Sequence, residues 1–347
     1  ENDDLLTLVM SLNLTSADFL YISSLTGCSI LLHRFLETEQ VSTTCLMAFS
    51  DATKNGHFEI MQTLLNRASK ALATKMIAAY NFEAFRIAAA NGQLALMQTI
   101  LSLSSPEIVT TKILPACTHA AFRMASVNGH LHILRLLISL DPSCTPKVIE
   151  LFSFECFRMA ASNGHFEVVQ ELIRLVPTNR LQSMISANDF HAFTAAAQGG
   201  HLKIVQTLLR LCEKEKLAHM IEAQCFTAFR GAAQAGSLEI MEAIMAVSSP
   251  ECTQNMIATN AFSIFSKVAT SGHLPVINAL LTLVDPAKKQ EMITKNVVSA
   301  FIGAASEGHL HVMEALMALA PSLIPDMISG KNFSAFAWAA MFKKDDV

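Results

Sequence analysis

The sequence predicts an all-α solenoid made of about eight copies of one helical unit, and three observations lead to that prediction. Glycine recurs at steps of 35 to 37 residues, a phenylalanine stands seven residues before each of these glycines, and the apolar residues around them follow helical spacing. Regular self-similarity at such a period is the mark of a repeat architecture. The glycines are Gly56, Gly92, Gly129, Gly164, Gly200, Gly236, Gly272 and Gly308. The phenylalanines are Phe49, Phe85, Phe122, Phe157, Phe193, Phe229, Phe265 and Phe301.

The first helix of each copy ends at the recurring glycine. In the copy that contains Gly164, apolar or small residues precede it at Phe154, Phe157, Ala160 and Ala161. This spacing places them on one face of a helix, and the alanine pair lets a neighbouring helix approach closely. Glycine adopts the left-handed conformation that commonly ends a helix, so the first helix is predicted to stop there.

A second and a third helix complete the unit. Apolar residues follow Gly164 with the spacing of an amphipathic helix, at Phe166, Val168, Val169, Leu172 and Ile173. In most copies a proline then ends that helix and opens another. A Met–Ile or similar pair predicts a short third helix that ends near Asn or Gly before the next copy. Pro115 interrupts this helix in one copy, which predicts either a locally reshaped segment or drift in a tolerant loop.

One such unit cannot cover its own apolar face, so stacked copies are needed to bury a continuous core. We therefore expect a single solenoid over residues 1–347. Residues 1–40 are a degenerate N-terminal cap around Gly27, residues 41–330 hold the eight copies, and residues 331–347 are a C-terminal half-copy that acts as a cap.

The composition narrows the classes of function. Apolar residues make up 52% of the chain and charged residues 16%, with a mean hydropathy of +0.38, so disorder is not expected. No uninterrupted apolar run is long enough for a membrane span. The net charge is −4 and no Lys/Arg run occurs, which argues against nucleic acid as the partner. The eight cysteines form no Cys-x-x-Cys pair, so we expect free thiols and a cytoplasmic, reducing location.

Two stretches resemble a known family. "AASNGHFEVVQELI" (160–173) and "AAQGGHLKIVQTLL" (196–209) are similar to the ankyrin repeat, and the resemblance covers roughly residues 45–342. The chain departs from the family where Thr-Pro-Leu-His is usual, as in Glu83–Arg86, which reads Glu-Ala-Phe-Arg. The period near 36 also exceeds the usual value of about 33. Longer, Phe-rich variants of this kind are similar to arrays in secreted effector proteins of intracellular bacteria.

The resemblance implies a protein–protein interaction scaffold that holds a partner protein on its concave face, with a short helix in place of the usual hairpin finger. The partner would be a host protein, and the location the host cytosol, if the chain is a secreted effector. Three alternatives stay open. The chain could be the recognition arm of a larger enzyme whose catalytic domain lies elsewhere, a helical-repeat nucleic-acid binder, or a purely structural array.

Histidines in a common register invite a metal or catalytic interpretation. Stacked helices lie about 8 to 10 Å apart, whereas zinc needs ligand nitrogens at about 2 Å, so equivalent histidines cannot share an ion. The resemblance implies a structural role for them at the turn. His130 and His132 are two residues apart and are expected not to face one another, as are His309 and His311. We predict no metal, no cofactor, no catalytic residue and no enzyme activity, because nucleophile and phosphate-loop motifs are also missing.

A set of residues that differs between copies is the candidate binding site. On the first helix, the face away from the core is polar or small in most copies, but three adjacent copies carry larger apolar residues there, flanked by arginine. We call this set the apolar strip: Arg86, Ile87, Arg123, Met124, Val127, Arg158 and Met159. Apolar residues edged by arginine are typical of protein-binding surfaces. The alternative is that the apolar residues pack on the neighbouring copy and the arginines tie loops together.

Overall fold

The computed structural model describes Leu12, residues 14–142 and residues 145–330, with the backbone alone at residues 116–118, 152 and 261. Throughout this part of the chain the secondary structure is helical and no strand occurs, which confirms the predicted all-α helical-repeat class. The fold divides into two compact units, unit 1 (Glu1–Ile149) and unit 2 (Glu150–Val347). The single array over residues 1–347 stays a prediction, and the proposed C-terminal cap at 331–347 lies outside the described residues.

Unit 1 contains the degenerate N-terminal copy and three further first-helix and second-helix pairs. Its helices are α1 (Ser16–Thr26), α2 (Ser29–Thr38), α3 (Cys45–Asn55), α4 (Phe58–Arg67), α5 (Lys70–Ala78), α6 (Glu83–Ala90), α7 (Leu94–Leu103), α8 (Pro106–Ile108), α9 (Leu114–Val127) and α10 (Leu131–Leu140). Gly27 ends α1 with a φ of 74°, as predicted for a degenerate copy.

Helix α11 (Thr145–Ser162) runs across the boundary, and unit 2 continues from it. The helices that follow are α12 (Phe166–Leu175), α13 (Thr178–Ile185), α14 (Ala187–Gln198), α15 (Leu202–Leu211), α16 (Lys214–Gln234), α17 (Leu238–Met245), α18 (Pro250–Thr270), α19 (Leu274–Leu283), α20 (Pro286–Glu307) and α21 (Leu310–Leu319). In the described chain no single helix has both the length and the apolar character to cross a membrane, although Leu310–Leu319 and Pro321–Gly330 meet the criterion as a pair bent by 108°.

The recurring residues play the parts that the sequence predicts. All eight glycines have φ between 69° and 81°, the left-handed region. All eight phenylalanines are at most 2% exposed, so each lies in the core of its unit. Truncating such a side chain to alanine costs about 3–5 kcal/mol in a packed core. The Met–Ile pairs of the third helices are buried as well, as at Met76 and Ile77.

The connection from the third helix to the next first helix is a short left-handed turn. Successive residues with positive φ occur at Tyr80–Phe82 before α6, at Asn188–Phe190 within α14 and at Gln224–Phe226 within α16. The ranges given for α14 and α16 therefore each include a kink at which two helices meet. Left-handed backbone costs roughly 1–2 kcal/mol per residue for non-glycine side chains. Each turn ends in a phenylalanine, and Phe82 and Phe190 are buried, so the burial of this ring offsets the backbone strain.

Two of the copies that follow a third helix lack the phenylalanine and show no such turn. His119 and Val298 stand at the corresponding positions, and the chain stays helical through α9 and α20. The expectation that every third helix ends before the next first helix is therefore wrong for these copies. Before α9 the backbone forms a π-helix over Val109–Ile113, so the chain is helical on both sides of Pro115 and the two interpretations of this segment stay open.

Candidate protein-binding surface

The apolar strip lies on first helices in both units. In unit 1, Arg86 and Ile87 belong to α6, and Arg123, Met124 and Val127 belong to α9. Helices α6 and α9 pack against each other, so these five residues share one surface. All five side chains are partly exposed, neither buried in the core nor fully open to solvent.

Unit 2 carries the last two residues of the strip. Arg158 and Met159 lie near the end of α11 and are partly exposed as well. They hold the same register in their copy as Arg123 and Met124 do in theirs. The structure thus gives both units the same residue types on the same helix face.

The strip residues Ile87, Met124 and Met159 stand five residues before the recurring glycine. Two other copies have glycine at this position, and they show which side chain lies next to it. A Cβ atom on Gly231 would collide with the Gln198 side chain, and one on Gly303 would collide with Thr270. The residue five before the recurring glycine therefore faces the residue two before the glycine of the preceding copy. In unit 1 the latter residue is Ala90 for Met124, so a small neighbour leaves room for the methionine side chain. The side chain at this position therefore both packs against the preceding copy and remains partly exposed to solvent.

Two of the three arginines of the strip support left-handed turns. In unit 1, Arg86 Nη2 donates a hydrogen bond to the Tyr80 carbonyl oxygen at 3.3 Å. In unit 2, Arg158 Nε donates to the Ser153 carbonyl oxygen at 2.9 Å. Both carbonyls belong to residues with positive φ. These contacts favour the interpretation in which the two arginines tie a loop to the helix that follows it.

His191 lies beside Arg158 in unit 2. Burial lowers the pKa of its imidazole below the ordinary value, and the positive charge of Arg158 lowers it further. Its Nδ1 atom is buried without a hydrogen-bond partner, as is the Nε atom of Arg230. A partly buried imidazole with a positive neighbour favours the neutral form, so His191 adds little positive charge to this face.

The recurring histidines hold the turn of the preceding copy. The His57 ring lies on Gly27 and its Nε2 donates to the Leu25 carbonyl oxygen at 3.0 Å. His201 does the same in unit 2, where Nε2 donates to the Ser162 carbonyl oxygen at 3.1 Å. The structural role implied by the sequence resemblance fits this geometry.

One expectation about histidine is wrong. The His130 and His132 rings do lie close together, with centroids 6.0 Å apart, and His309 and His311 are 6.2 Å apart. His130 precedes its helix with φ −83° and ψ 73°, so helical spacing does not apply to it. His132 Nε2 donates to the Gly92 carbonyl oxygen at 3.0 Å, next to the turn that His130 holds. Among the residues that the structure describes, no group of three or more His, Cys, Asp or Glu side chains is placed to hold a metal ion.

Comparison with known proteins identifies the repeat. Residues 119–220 match the family model "Ankyrin repeats" in three copies. This segment of the chain is similar to ankyrin repeats. Five strip residues, from Arg123 to Met159, lie inside the matched segment, whereas Arg86 and Ile87 lie before it.

Solved structures include a similar ankyrin protein. An X-ray structure of an ankyrin repeat family protein from Legionella pneumophila is 22% identical, and the alignment covers 90% of this chain and 88% of that chain with a TM-score of 0.44. No curated protein matches this chain significantly. Ankyrin repeats generally serve as protein–protein interaction modules and are typically non-catalytic.

Sequence periodicity did not point to a second surface in unit 1. Tyr21 and Met47 are 56% and 76% exposed, and both line an apolar groove in the N-terminal copies. The signal was available in the sequence, because the step from Gly27 to Gly56 is much shorter than the steps between the later glycines.

Proposed function

We propose that this chain is an interaction scaffold that binds a partner protein through the apolar strip on its concave face. The observation that carries the proposal is the paired exposure of Ile87 and Met124 on adjacent helices of unit 1. The equivalent position is Asp51, Ala195, Gly231, Lys267 or Gly303 in other copies, so the framework does not require a large apolar residue there.

The chemistry of the strip suits a protein partner. Methionine adapts its flexible thioether chain to varied surfaces, and exposed apolar side chains flanked by arginine are the residue types enriched at the centre of interfaces. Met159 and Arg158 present the same chemistry on unit 2, and we propose that they contribute to binding as well. Val127 extends the apolar area on α9 by one helical turn.

Substitution of the strip tests the proposal. The variants Ile87→Glu and Met124→Glu place a carboxylate where a partner would bury an apolar group. Val247→Glu is the matched control, because Val247 is also an exposed apolar residue but lies outside the strip. Proteins captured by the wild-type chain and by the control, but lost by both strip variants, are then produced in pure form for measurement of Kd. A loss of about tenfold or more per variant is expected for a central anchor.

Folding must be measured beside binding. Circular dichroism and thermal unfolding of each variant show whether the strip residues also support the fold. If both variants unfold, Met124→Gln and Ile87→Thr, which keep most of the volume, repeat the test with smaller perturbation. Unchanged Kd in folded variants would rule out the strip as the binding surface.

The cellular setting is a separate proposal. We propose a reducing, cytoplasmic location, supported by Cys45 and Cys212, which are buried in the core as free thiols. The finer proposal, that the chain is a secreted bacterial effector in the host cytosol and its partner a host protein, is supported by the sequence resemblance described above. A translocation reporter fused to the chain tests it, and retention of the reporter inside the bacterium would contradict it. We also propose that the chain has no enzyme activity of its own, as is typical of ankyrin-repeat proteins.

A further inference from the structure

An apolar groove of about 330 Å³ lies in unit 1 between α1, the end of α2 and the start of α3. Buried Leu20, Phe35 and Ala48 form its floor, and exposed Tyr21 and Met47 form its sides. Tyr21 and Met47 are 56% and 76% exposed, which is unusual for large apolar side chains in this chain. An exposed apolar surface of this kind marks a site of interaction more often than a site of packing.

The next copy shows what normally fills this place. Between α3 and α6, Met76 on the third helix α5 and Ala79 and Tyr80 just after it leave no room for a water molecule. They pack against Phe49 and Ser50 on α3 and against Glu83 and Ala84 on α6.

The groove residues occupy the equivalent positions one copy earlier. Counted from the glycine that ends each first helix, Leu20 and Tyr21 correspond to Phe49 and Ser50. Met47 and Ala48 likewise correspond to Glu83 and Ala84. Both walls of the third-helix site are therefore present in the N-terminal copy, and the groove is the place that a third helix takes elsewhere.

A deletion in the sequence explains the missing helix. The step from Gly27 to Gly56 is 29 residues, whereas the later steps are 35 to 37. About seven residues correspond to two turns of α-helix. Residues 39–44, which join α2 to α3, contain no helix.

We propose that this groove binds a short amphipathic helix of a partner protein, which takes the place of the missing third helix. The third helices of the chain itself define its chemistry, since each buries an apolar pair such as Met76 and Ile77 between two first helices. Among the described residues that line the groove, Glu39 is the one with a charge, and it is exposed at the rim. A helix with a basic residue opposite Glu39 complements it, just as α5 carries Lys70 and Lys75.

The chain supplies its own probe. A fluorescein-labelled peptide with the sequence of residues 69–79, SKALATKMIAA, capped at both ends, carries the apolar pair and the two lysines. Fluorescence anisotropy with the full chain should show saturable binding. Met47→Lys and Tyr21→Lys in the full chain should each weaken it at least about tenfold, since each replaces an exposed apolar wall with a charge. Glu39→Lys should weaken it as well, and the wild-type affinity should fall as salt is raised.

Matched controls separate the groove from the rest of the surface. Ile30 is 56% exposed on α2 but does not line the groove, so Ile30→Lys should bind the probe like the wild type. The variant Met124→Glu in the apolar strip should also bind it normally, which keeps this test independent of the proposed function. A peptide with both the Met and the Ile replaced by Ser should not bind.

Four results would overturn the proposal. The first is that the wild-type chain shows no saturable binding of the peptide. The second is that Met47→Lys leaves the binding unchanged. The third is binding that appears only in the variant Leu8→Glu, which would mean that the N-terminal residues of the chain itself cover the groove. The fourth is a dimer in sedimentation that Met47→Lys dissociates, because the occupant would then be a second copy of the chain.

Discussion

The His130 imidazole lies directly on Gly92, one copy earlier in unit 1. A Cβ atom on Gly92 would be 2.8 Å from His130 Nδ1, and His130 Nε2 donates a hydrogen bond to the Ala90 carbonyl oxygen at 3.0 Å. Gly92 has a φ of 69°, so it combines left-handed backbone with a contact that excludes any side chain. Asn128 Nδ2 also donates to the Ala90 carbonyl oxygen, at 2.6 Å, which ties the same two copies together.

This double requirement predicts that Gly92→Ala is strongly destabilising. The left-handed backbone alone costs about 1–2 kcal/mol for alanine. Displacement of the His130 ring adds the loss of a hydrogen bond, about 1 kcal/mol, and of its packing. We expect a decrease of about 2–4 kcal/mol in the free energy of unfolding, measured by urea denaturation followed by circular dichroism.

Gly56 offers the control, because its φ of 71° is similar but no histidine lies on it. Its added Cβ would meet the Phe58 ring at an ordinary distance of 3.7 Å. The following copy has Gln93 in place of the histidine. Gly56→Ala should therefore lower the free energy of unfolding only by the cost of left-handed backbone, about 1–2 kcal/mol. Equal losses for the two variants would show that the histidine contact contributes nothing.

The left-handed turn at Asn188–Phe190 predicts a pattern of tolerance. Asn188 has a φ of 52° and is exposed, so Asn188→Gly should leave stability unchanged or raise it slightly. Asn188→Val should lower it by about 1–2 kcal/mol, since a β-branched side chain fits this backbone poorly. Phe190→Ala, which removes the buried ring that fixes the turn, should lower it by about 3–5 kcal/mol. Thermal unfolding of the three variants checks the order, and a stable valine variant would contradict the turn.

A pH dependence follows from His191. Its folded-state pKa lies below 6.5, first because of burial and second because of Arg158. Near pH 6.5 the unfolded chain therefore binds a proton on this imidazole more readily than the folded chain does. The contribution of neutral His191 to the free energy of unfolding is present above pH 6.5 and is lost as the pH falls below it. Urea midpoints between pH 7.5 and pH 5 should show a smaller decline in His191→Asn than in the wild type.

Arg158→Gln provides the complementary test. Removal of the positive charge should raise the pKa of His191 toward its ordinary value, because one of its two causes is gone. NMR titration of the His191 ring in the wild type and in Arg158→Gln measures this directly. An unchanged titration would mean that burial alone sets the pKa.

The repeat framework could be predicted from the sequence because each recurring residue has a local structural role. Glycine at the helix end, the buried phenylalanine seven residues before it, and the Met–Ile pair all recur at fixed distances, and the structure uses them as predicted. The left-handed turns were not readable in this way. Their signal, a phenylalanine such as Phe190 three residues before the core Phe193, looks like ordinary helical spacing. The positive φ angles of Asn188, Asp189 and Phe190 show that the backbone is left-handed there.

The candidate site was predictable in part. The strip residues were found as departures from the common pattern, and in unit 1 they are partly exposed on two helices that pack against each other. The roles of Arg86 and Arg158 could not be predicted from the sequence. Their hydrogen bonds reach carbonyl oxygens of left-handed turns, which the sequence did not predict. The groove near Met47 was equally hard to predict. A missing third helix shows in the sequence only as a shorter step between two recurring glycines.

A last prediction concerns a glutamine that joins neighbouring copies in unit 2. Gln254 Nε2 donates to the Leu283 carbonyl oxygen at 2.8 Å, and its Oε1 accepts from the Asp285 backbone N–H at 2.9 Å. The amide thus satisfies both polar groups at the point where α19 ends and α20 begins. Gln254→Ala should lower the free energy of unfolding by about 1–3 kcal/mol, because two backbone groups lose their partners.

Gln290 holds the same register in the next copy and serves as the control. Its exposed amide donates to Thr294 Oγ1 on its own helix at 3.3 Å, a contact that joins no two copies. Gln290→Ala should therefore change the free energy of unfolding by no more than about 0.5 kcal/mol. Gln254→Glu separates the two bonds, since a carboxylate keeps the acceptor for Asp285 but replaces the donor to Leu283 with a repulsive contact. A glutamate variant as stable as the wild type would show that the donated bond is dispensable, and that the acceptor alone fixes the start of α20.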